Sequence, residues 1–356
     1  MSDLSDRDRW CLRSIYAPPA ALTNWRLEQL VGHERVRYFA FGRHAIAEAL
    51  RIAGVGNEDA VLLPAFICRE VLSAIHVNGA RVAYYPVNES LGLACDPATL
   101  PAAKAIVAVD YFGFAQDLTP FAQYCTRTGA VLIEDNAHGL FSRDDNGHAL
   151  GTRGDLGIFS IRKSLPMPNG AALSVNNTAY LPAVAPQIPY DTAAPDATFR
   201  IKHRLRKLVR AVGPWPARAA TSFARFARRV KTGHAIQPSS PQAEFELPAG
   251  AAPNRLLPDI MTHTDVAAEG ARRRDLYRLL PSLLDPARYP PVFAILPPNT
   301  VPYGYPFFAN AEAGSAASRL LARHNLECFP WPELPAAIAP TAPPHYKSIW
   351  MVSFLW

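Results

Sequence analysis

The sequence predicts an α/β fold, with a mostly parallel sheet covered by helices and a smaller α+β unit behind it. Three observations predict it. Short apolar runs alternate with helical patterns from about residue 40 to 175, the helical patterns close on glycines suited to C-caps, and the pattern changes character from Asn254 onward. Strictly alternating strand and helix signals are the mark of βαβ units, whose parallel strands place ligands at their carboxyl ends.

Taken in order, "AVLLPAF" (60–66), "ARVAYYPV" (80–87), "AIVAVDYFG" (105–113), "AVLIED" (130–135) and "LGIFSI" (156–161) read as buried strands. Between them "RHAIAEALRIAG", "CREVLSAIHVNG" and "DLTPFAQYCTRTG" have helical spacing. The stretch from about 176 to 253 is rich in Pro, Ala and Arg. Within it "FRIKHRLRKLVRAV", a Gly213-Pro214-Trp215-Pro216 break and a second apolar stripe through Phe223 and Phe226 predict two short cationic amphipathic helices. A helix over about Asp259–Leu284 and a terminal "SIWMVSFLW" belong to the smaller unit. The expected divisions are an N-terminal arm (1–37), a large domain (38–180), a Pro/Arg-rich insert (181–253) and a small C-terminal domain (254–356).

Composition narrows the function classes. With 356 residues, 49% hydrophobic and 19% charged, the chain can bury a deep site and is not a disordered sequence. Five scattered cysteines without a CxxC pair (Cys11, Cys68, Cys95, Cys125, Cys328) argue against a disulfide framework and against a zinc site, and point to a reducing compartment. The charged N-terminus reads as no secretory signal, and no apolar run approaches a membrane span, so a cytoplasmic protein is expected. The net charge of +6 is local: eleven Lys and Arg fall between Arg200 and Lys231 with no acid among them, leaving 25 basic against 30 acidic residues elsewhere. A general nucleic-acid binder is therefore not expected.

The chemistry-bearing residues sit at strand ends. "FAFGRHAIAEAL" opens a helix at Gly42, so the amides of Gly42, Arg43 and His44 could take a phosphate; the glycine could equally serve only a turn. "VLIEDNAHGLF" puts Asp135 after a buried run, with His138 close behind. That carboxylate could cap a helix or hold a heteroaromatic N–H in its charged form. "GIFSIRKSLPMPNGAAL" adds Ser160, Arg162 and Lys163. A lysine in a low-dielectric pocket can act as an imine-forming nucleophile and then a base, whereas a solvated lysine does neither; a guanidinium at Arg162 could point inward but forms no imine.

In this order the parts resemble the DegT/DnrJ/EryC1/StrS sugar aminotransferases, fold-type-I enzymes that use pyridoxal 5′-phosphate. The resemblance runs from about residue 38 and includes "DAVLLPAFIC", "YFGFAQD", "IEDNAHG", "GDLGIFSIRK", "VPYGYPF" and "WPELP". It implies a seven-stranded, mostly parallel large-domain sheet. It also implies that Lys163 bonds the cofactor aldehyde, that Asp135 pairs with the pyridine nitrogen, and that His138 stands where relatives often have Gln near the 3′-oxygen. Ser160 and the Gly42 and Arg43 amides would hold the phosphate, and Asn254, in "PNRLLPDI", would reach the phosphate of a neighbouring subunit in a homodimer with shared sites. Cys68 falls near the position of the ring-stacking aromatic, with Phe66 as the substitute. The sequence departs from the family in its short Ser160-to-Lys163 spacing and in Arg43, where a small hydroxyl residue is frequent.

The implied function is transfer of an amino group, from glutamate, to a keto sugar nucleotide or related carbonyl metabolite in surface-glycan or natural-product biosynthesis. Two alternatives stay open: another reaction on the same cofactor, such as dehydration or decarboxylation, and a non-catalytic scaffold that keeps the fold. The basic segment 200–231 suits either packing on its own protein or a peripheral contact with an anionic membrane at the inner face.

Overall fold

A computed structural model describes residues 24–193, 199–201, 240–324 and 326–354. The larger sheet has seven strands: β1 (Val36–Phe39), β2 (Ala60–Pro64), β3 (Arg81–Tyr85), β4 (Ala105–Val109), β5 (Val131–Asn136), β6 (Leu156–Phe159) and β7 (Ala171–Val175). Their order is β1-β7-β6-β5-β4-β2-β3. The five strands from β6 to β3 pair in parallel, while β7 is antiparallel to both β6 and β1. Two antiparallel steps restore the direction of β1, so its carboxyl end lies with those of the parallel strands.

The parallel strands read as unbroken apolar runs because both faces are covered; every residue of β4 through β7 is buried. The helices turn narrower faces inward. α2 (Gly42–Ile52) buries His44, Ala45, Ile46, Ala49, Leu50 and Ile52, a three-to-four-residue spacing. It follows the short α1 (Glu28–Val31), and α3 (Leu72–His76) and α4 (Thr119–Thr128) cover the sheet further along. Glycines 54, 79 and 129, which close the three predicted helical patterns, all have positive φ, the backbone that lets a chain leave a helix sharply.

Two short strands differ from the sequence reading. β1 and β7 are not among the strands expected from the sequence, because runs of four or five residues show no period once both faces are buried. The single helix expected over 259–284 is two, α5 (Leu257–Thr262) and α6 (Val266–Leu283). Asp265 divides them because its side chain accepts the Ala268 amide at 2.9 Å and so caps a new helix. The smaller sheet, order β8-β10-β9, is antiparallel: β8 (Gly304–Phe308), β9 (Glu327–Pro330) and β10 (Ile349–Ser353), with α7 (Ala311–Ala322) and α8 (Pro344–Ser348) beside it. Of the cationic helices expected over 200–231, all but Arg200 and Ile201 lie outside the described residues.

A buried ion cluster fixes the strand ends. Arg153 donates to Asp110 Oδ1 at 2.8 Å and to Glu134 Oε1 at 2.7 Å, and Glu134 also accepts the amides of Arg153 and Gly154. Burial, and next the Glu134 charge, push Asp110 well above the usual carboxyl range. β6 also runs against the turn at Gly151, where a methyl on Gly157 would overlap the Gly151 carbonyl oxygen. Gly157→Ala is expected to lower unfolding free energy by about 3 kcal/mol or more. Urea titration would show this as a fall in midpoint at unchanged slope; an unmoved midpoint would remove the close approach as a constraint.

Candidate active site

The carboxyl ends of β1, β2, β4, β5 and β6 converge on one cavity of about 230 Å³, larger than the roughly 150 Å³ that accepts a benzene ring. Gly42, Arg43, Cys68, Asp135, His138, Ser160, Arg162 and Lys163 all line it. Lys163 gets there because β6 ends at Phe159 and a single 3₁₀ turn, Ile161–Lys163, follows. The Lys163 amide closes that turn on the Ser160 carbonyl at 3.0 Å. The short Ser-to-Lys spacing therefore still delivers both side chains to one wall.

Lys163 Nζ lies 3.1 Å from His138 Nε2. The other imidazole nitrogen, Nδ1, accepts the Phe112 amide at 3.2 Å. An N–H can only donate, so this contact places the ring proton on Nε2, facing Nζ, an arrangement that favours the uncharged amine with its lone pair. Electrostatics point the same way: burial lowers the Lys163 pKa, against the raising effects of Cys68 and Asp135, and burial above all holds His138 well below the imidazole range. Phe112 can aim its amide this way because it adopts φ 55°, ψ 16°, a left-handed conformation costly for a bulky residue. Its carbonyl accepts the Tyr303 amide at 2.8 Å, and the Tyr303 ring stacks on His138 at 4.4 Å and 4°.

Asp135 is 5% exposed, with Oδ1 accepting the Ala137 amide at 3.0 Å. Burial raises its pKa, while Lys163 and the amide pull it down. Cys68 is a protonated thiol, pushed up to about 11 by burial. Opposite, α2 begins at Gly42, whose Cβ position is 3.9 Å from that of Ser160, so the helix start and the buried Ser160 hydroxyl form one cradle. The Gly42 and Arg43 amides have no acceptor among the described residues, as expected for a first helical turn. A base-capable amine, a buried carboxyl and an anion cradle within one aromatic-walled cavity fit a phosphorylated heteroaromatic aldehyde.

Two expected cofactor contacts are placed elsewhere, and a third, expected to reach a neighbouring subunit, lies away from its own chain's cavity. His44 turns its ring away to the Pro248 carbonyl at 3.0 Å, and its amide already donates to the Phe41 carbonyl. Phe66 is fully buried among Tyr111, Trp331 and Tyr346, so it backs the cavity without lining it. Asn254 lies outside the cavity of its own chain: its amide donates to Asn169 Oδ1 at 2.7 Å and its Oδ1 accepts the Leu256 amide at 3.1 Å. Conversely, Phe41, Tyr303 and Trp331 are wall residues that no reading of spacing assigns. The last two lie in "VPYGYPF" and "WPELP", segments whose resemblance was visible while their side-chain roles were not.

Residues 24–180 match the model of the DegT/DnrJ/EryC1/StrS aminotransferase family. Among curated proteins the chain is 30% identical over 171 residues to the L-glutamine:2-deoxy-scyllo-inosose aminotransferase of Streptomyces kanamyceticus, covering 46% of this chain and 39% of that protein. It is 32% identical over 134 residues to the dTDP-4-dehydro-2,3,6-trideoxy-D-glucose 4-aminotransferase of Saccharopolyspora spinosa, covering 36% of this chain and 34% of that one. The matched region thus spans less than two fifths of either relative. The structure is similar to that of the aminotransferase TlmJ from Streptoalloteichus hindustanus, with a TM-score of 0.59, 18% identity, and coverage of 99% of this chain and 91% of the other. The fold is that of the fold-type-I enzymes, and the resemblance to the DegT/DnrJ/EryC1/StrS aminotransferase family lies in residues 24–180, somewhat under half of the chain.

Proposed function

We propose that this chain is a pyridoxal 5′-phosphate-dependent aminotransferase that moves an amino group from an amino acid of the glutamate type to a keto sugar nucleotide or related cyclic ketone. The observation that carries the reading is the Lys163 amine, 3.1 Å from His138 Nε2 and on the same cavity as Asp135. The names of the relatives, which are aminotransferases of a keto-inositol and of a keto sugar nucleotide, support the substrate class.

The cofactor, when bound, supplies an electron sink for ionising a C–H bond next to nitrogen. The residues of the chain do the rest. Lys163 would hold the cofactor aldehyde and, once displaced by the donor amine, carry a proton between substrate carbon and cofactor. Its lowered pKa keeps it free to accept that proton. Asp135 would pair with the ring nitrogen; a cation there favours the ionised carboxylate that burial alone opposes. Ser160 and the Gly42 and Arg43 amides would hold the phosphate. His138 orients Nζ, while Tyr303 and Trp331 close the cavity wall and keep water from the amine.

The reading extends to a homodimer in which Asn254 reaches the neighbouring subunit's phosphate, and to a cytoplasmic protein whose segment 200–231 touches an anionic bilayer. Both extensions rest on sequence, supported by the eleven basic residues of that segment. Among the described residues no helix is long and apolar enough to cross a membrane. At low salt, anionic vesicles are expected to co-sediment the protein, and Arg→Glu changes within 200–231 to release it. Absence of co-sedimentation ends the membrane extension.

Addition of pyridoxal 5′-phosphate is expected to produce a visible absorbance band tied to Lys163, and glutamate to bleach it. Lys163→Ala should abolish the band and cut amine exchange by roughly 10²-fold or more. A band that bleaches with no amino donor would point to another reaction on the same cofactor, and the absence of any band to a non-catalytic scaffold.

The lysine also makes a pH prediction. Its uncharged fraction rises with pH through a pKa below the ordinary 10.5, so labelling of Lys163 by a small aldehyde with cyanoborohydride should rise through that lowered midpoint. His138→Phe keeps a ring against Tyr303 but loses the donor to Nζ. It is expected to move the midpoint up by about one unit, the size of one hydrogen bond. A midpoint that stays or falls would contradict the assigned proton position.

A further inference from the structure

The cavity holds more positive charge than the lysine chemistry uses. Arg43 and Arg162 both line it, and both guanidiniums lie over the Phe41 ring, at 5.8 and 5.3 Å from its centroid. The backbone of Arg162 is fixed, its amide donating to the Gly170 carbonyl at 3.0 Å. Its Nε is nevertheless buried with no hydrogen-bond partner, and the guanidinium forms no ion pair among the described residues. Arg43 has only a loose pairing, 3.8 Å to Glu70. Burial and then the charge of Arg162 both lower the Arg43 pKa against the opposing Glu70 charge, so these two cations meet in partly dry surroundings.

A desolvated guanidinium left without a partner is costly. Arg162 Nε is such a buried donor and Arg43 has the loose Glu70 contact, so an anion placed between them over the Phe41 ring would complete both. Their planar forks match the paired oxygens of a phosphate or carboxylate. The neighbouring groups point the same way: the Gly42 and Arg43 amides at the start of an 11-residue helix and the buried Ser160 hydroxyl are all donors. Glu70 is the one carboxylate on that side of the cavity wall, and Asp135 lies with Lys163. An anion at the Arg pair would compete only with the 3.8 Å contact to Glu70.

We propose that Arg43 and Arg162, braced on Phe41, form an oxyanion clamp beside Lys163 that takes a phosphate or carboxylate group of a bound ligand. The inference rests on the cofactor reading above and deepens it by giving the ligands of this site a required negative group. Two sources share this chemistry, the phosphate of the cofactor and a carboxylate of the amino donor. A sequence reading of Arg43 alone leaves the clamp incomplete, because Arg162 reaches the site only through the turn after β6.

The experiment titrates the purified full chain, and its Arg162→Gln and Arg43→Gln variants, with three probes: pyridoxal 5′-phosphate, pyridoxal and glutarate. Absorbance follows the two aldehydes, and the shift in thermal unfolding midpoint follows glutarate. Either substitution should weaken the phosphorylated aldehyde or glutarate by roughly tenfold or more, as expected for losing one charge-assisted contact, and leave pyridoxal within about twofold. Loss confined to pyridoxal 5′-phosphate assigns the clamp to the phosphate; loss confined to glutarate assigns it to the donor carboxylate; loss of both shows one clamp serving both. Unchanged affinities in both variants, or pyridoxal weakening in step with the other probes, would overturn the proposal. The cofactor reading fails separately, by the absence of a Lys163-dependent band with pyridoxal itself, and glutarate still tests the clamp in that case.

Discussion

The site depends on one hydrogen-bonded chain, from the Phe112 amide through the His138 ring to the Lys163 amine. Its direction is fixed at one end by a group that can only donate, and that choice propagates to the lysine. A solvated lysine at the same place would be charged and inert as a nucleophile. Burial and a correctly oriented imidazole both favour the uncharged amine. The strained backbone of Phe112 is the local cost of aiming the first donor.

Much of the surrounding structure keeps that chain in register. Phe112 and His138 follow neighbouring parallel strands, β4 and β5, whose ends are tied by Arg153 bridging Asp110 and Glu134. The lysine turn is held from the other side. Arg273, 1% exposed, pairs with Glu269 and donates to the Ser164 carbonyl at 2.8 Å, while the adjacent Arg272 reaches the Phe354 carbonyl. Helix α6 thereby links Phe354, just after β10, to the residue after Lys163. A buried ion network satisfied on all but a few atoms adds rigidity more reliably than net stability. Here rigidity at Ser164 is what the lysine requires.

The family match covers one part of the chain. Residues 24–180 contain Gly42, Asp135, His138, Ser160 and Lys163, all of which line the cavity. Tyr303 and Trp331, which complete the wall, come from outside the matched segment.

The sequence by itself determined the alternating α/β architecture and the polar residues at strand ends, because buried parallel strands and helix caps write themselves into local composition. It brought Asp135, Ser160 and Lys163 forward as one constellation, since strand ends in such a sheet meet at one edge. It could not show β7 as a strand, that His44 and Phe66 face away from the cavity, or that Arg162 joins Arg43 on the Phe41 ring. Those facts depend on contacts between residues far apart in the chain, where burial on two faces removes any local period and a side chain's direction is set by its distant neighbours. The lowered pKa of Lys163 is of this second kind. A lysine is written in the sequence; its burial and its contact with a histidine that accepts an amide 51 residues earlier in the chain are set by the fold.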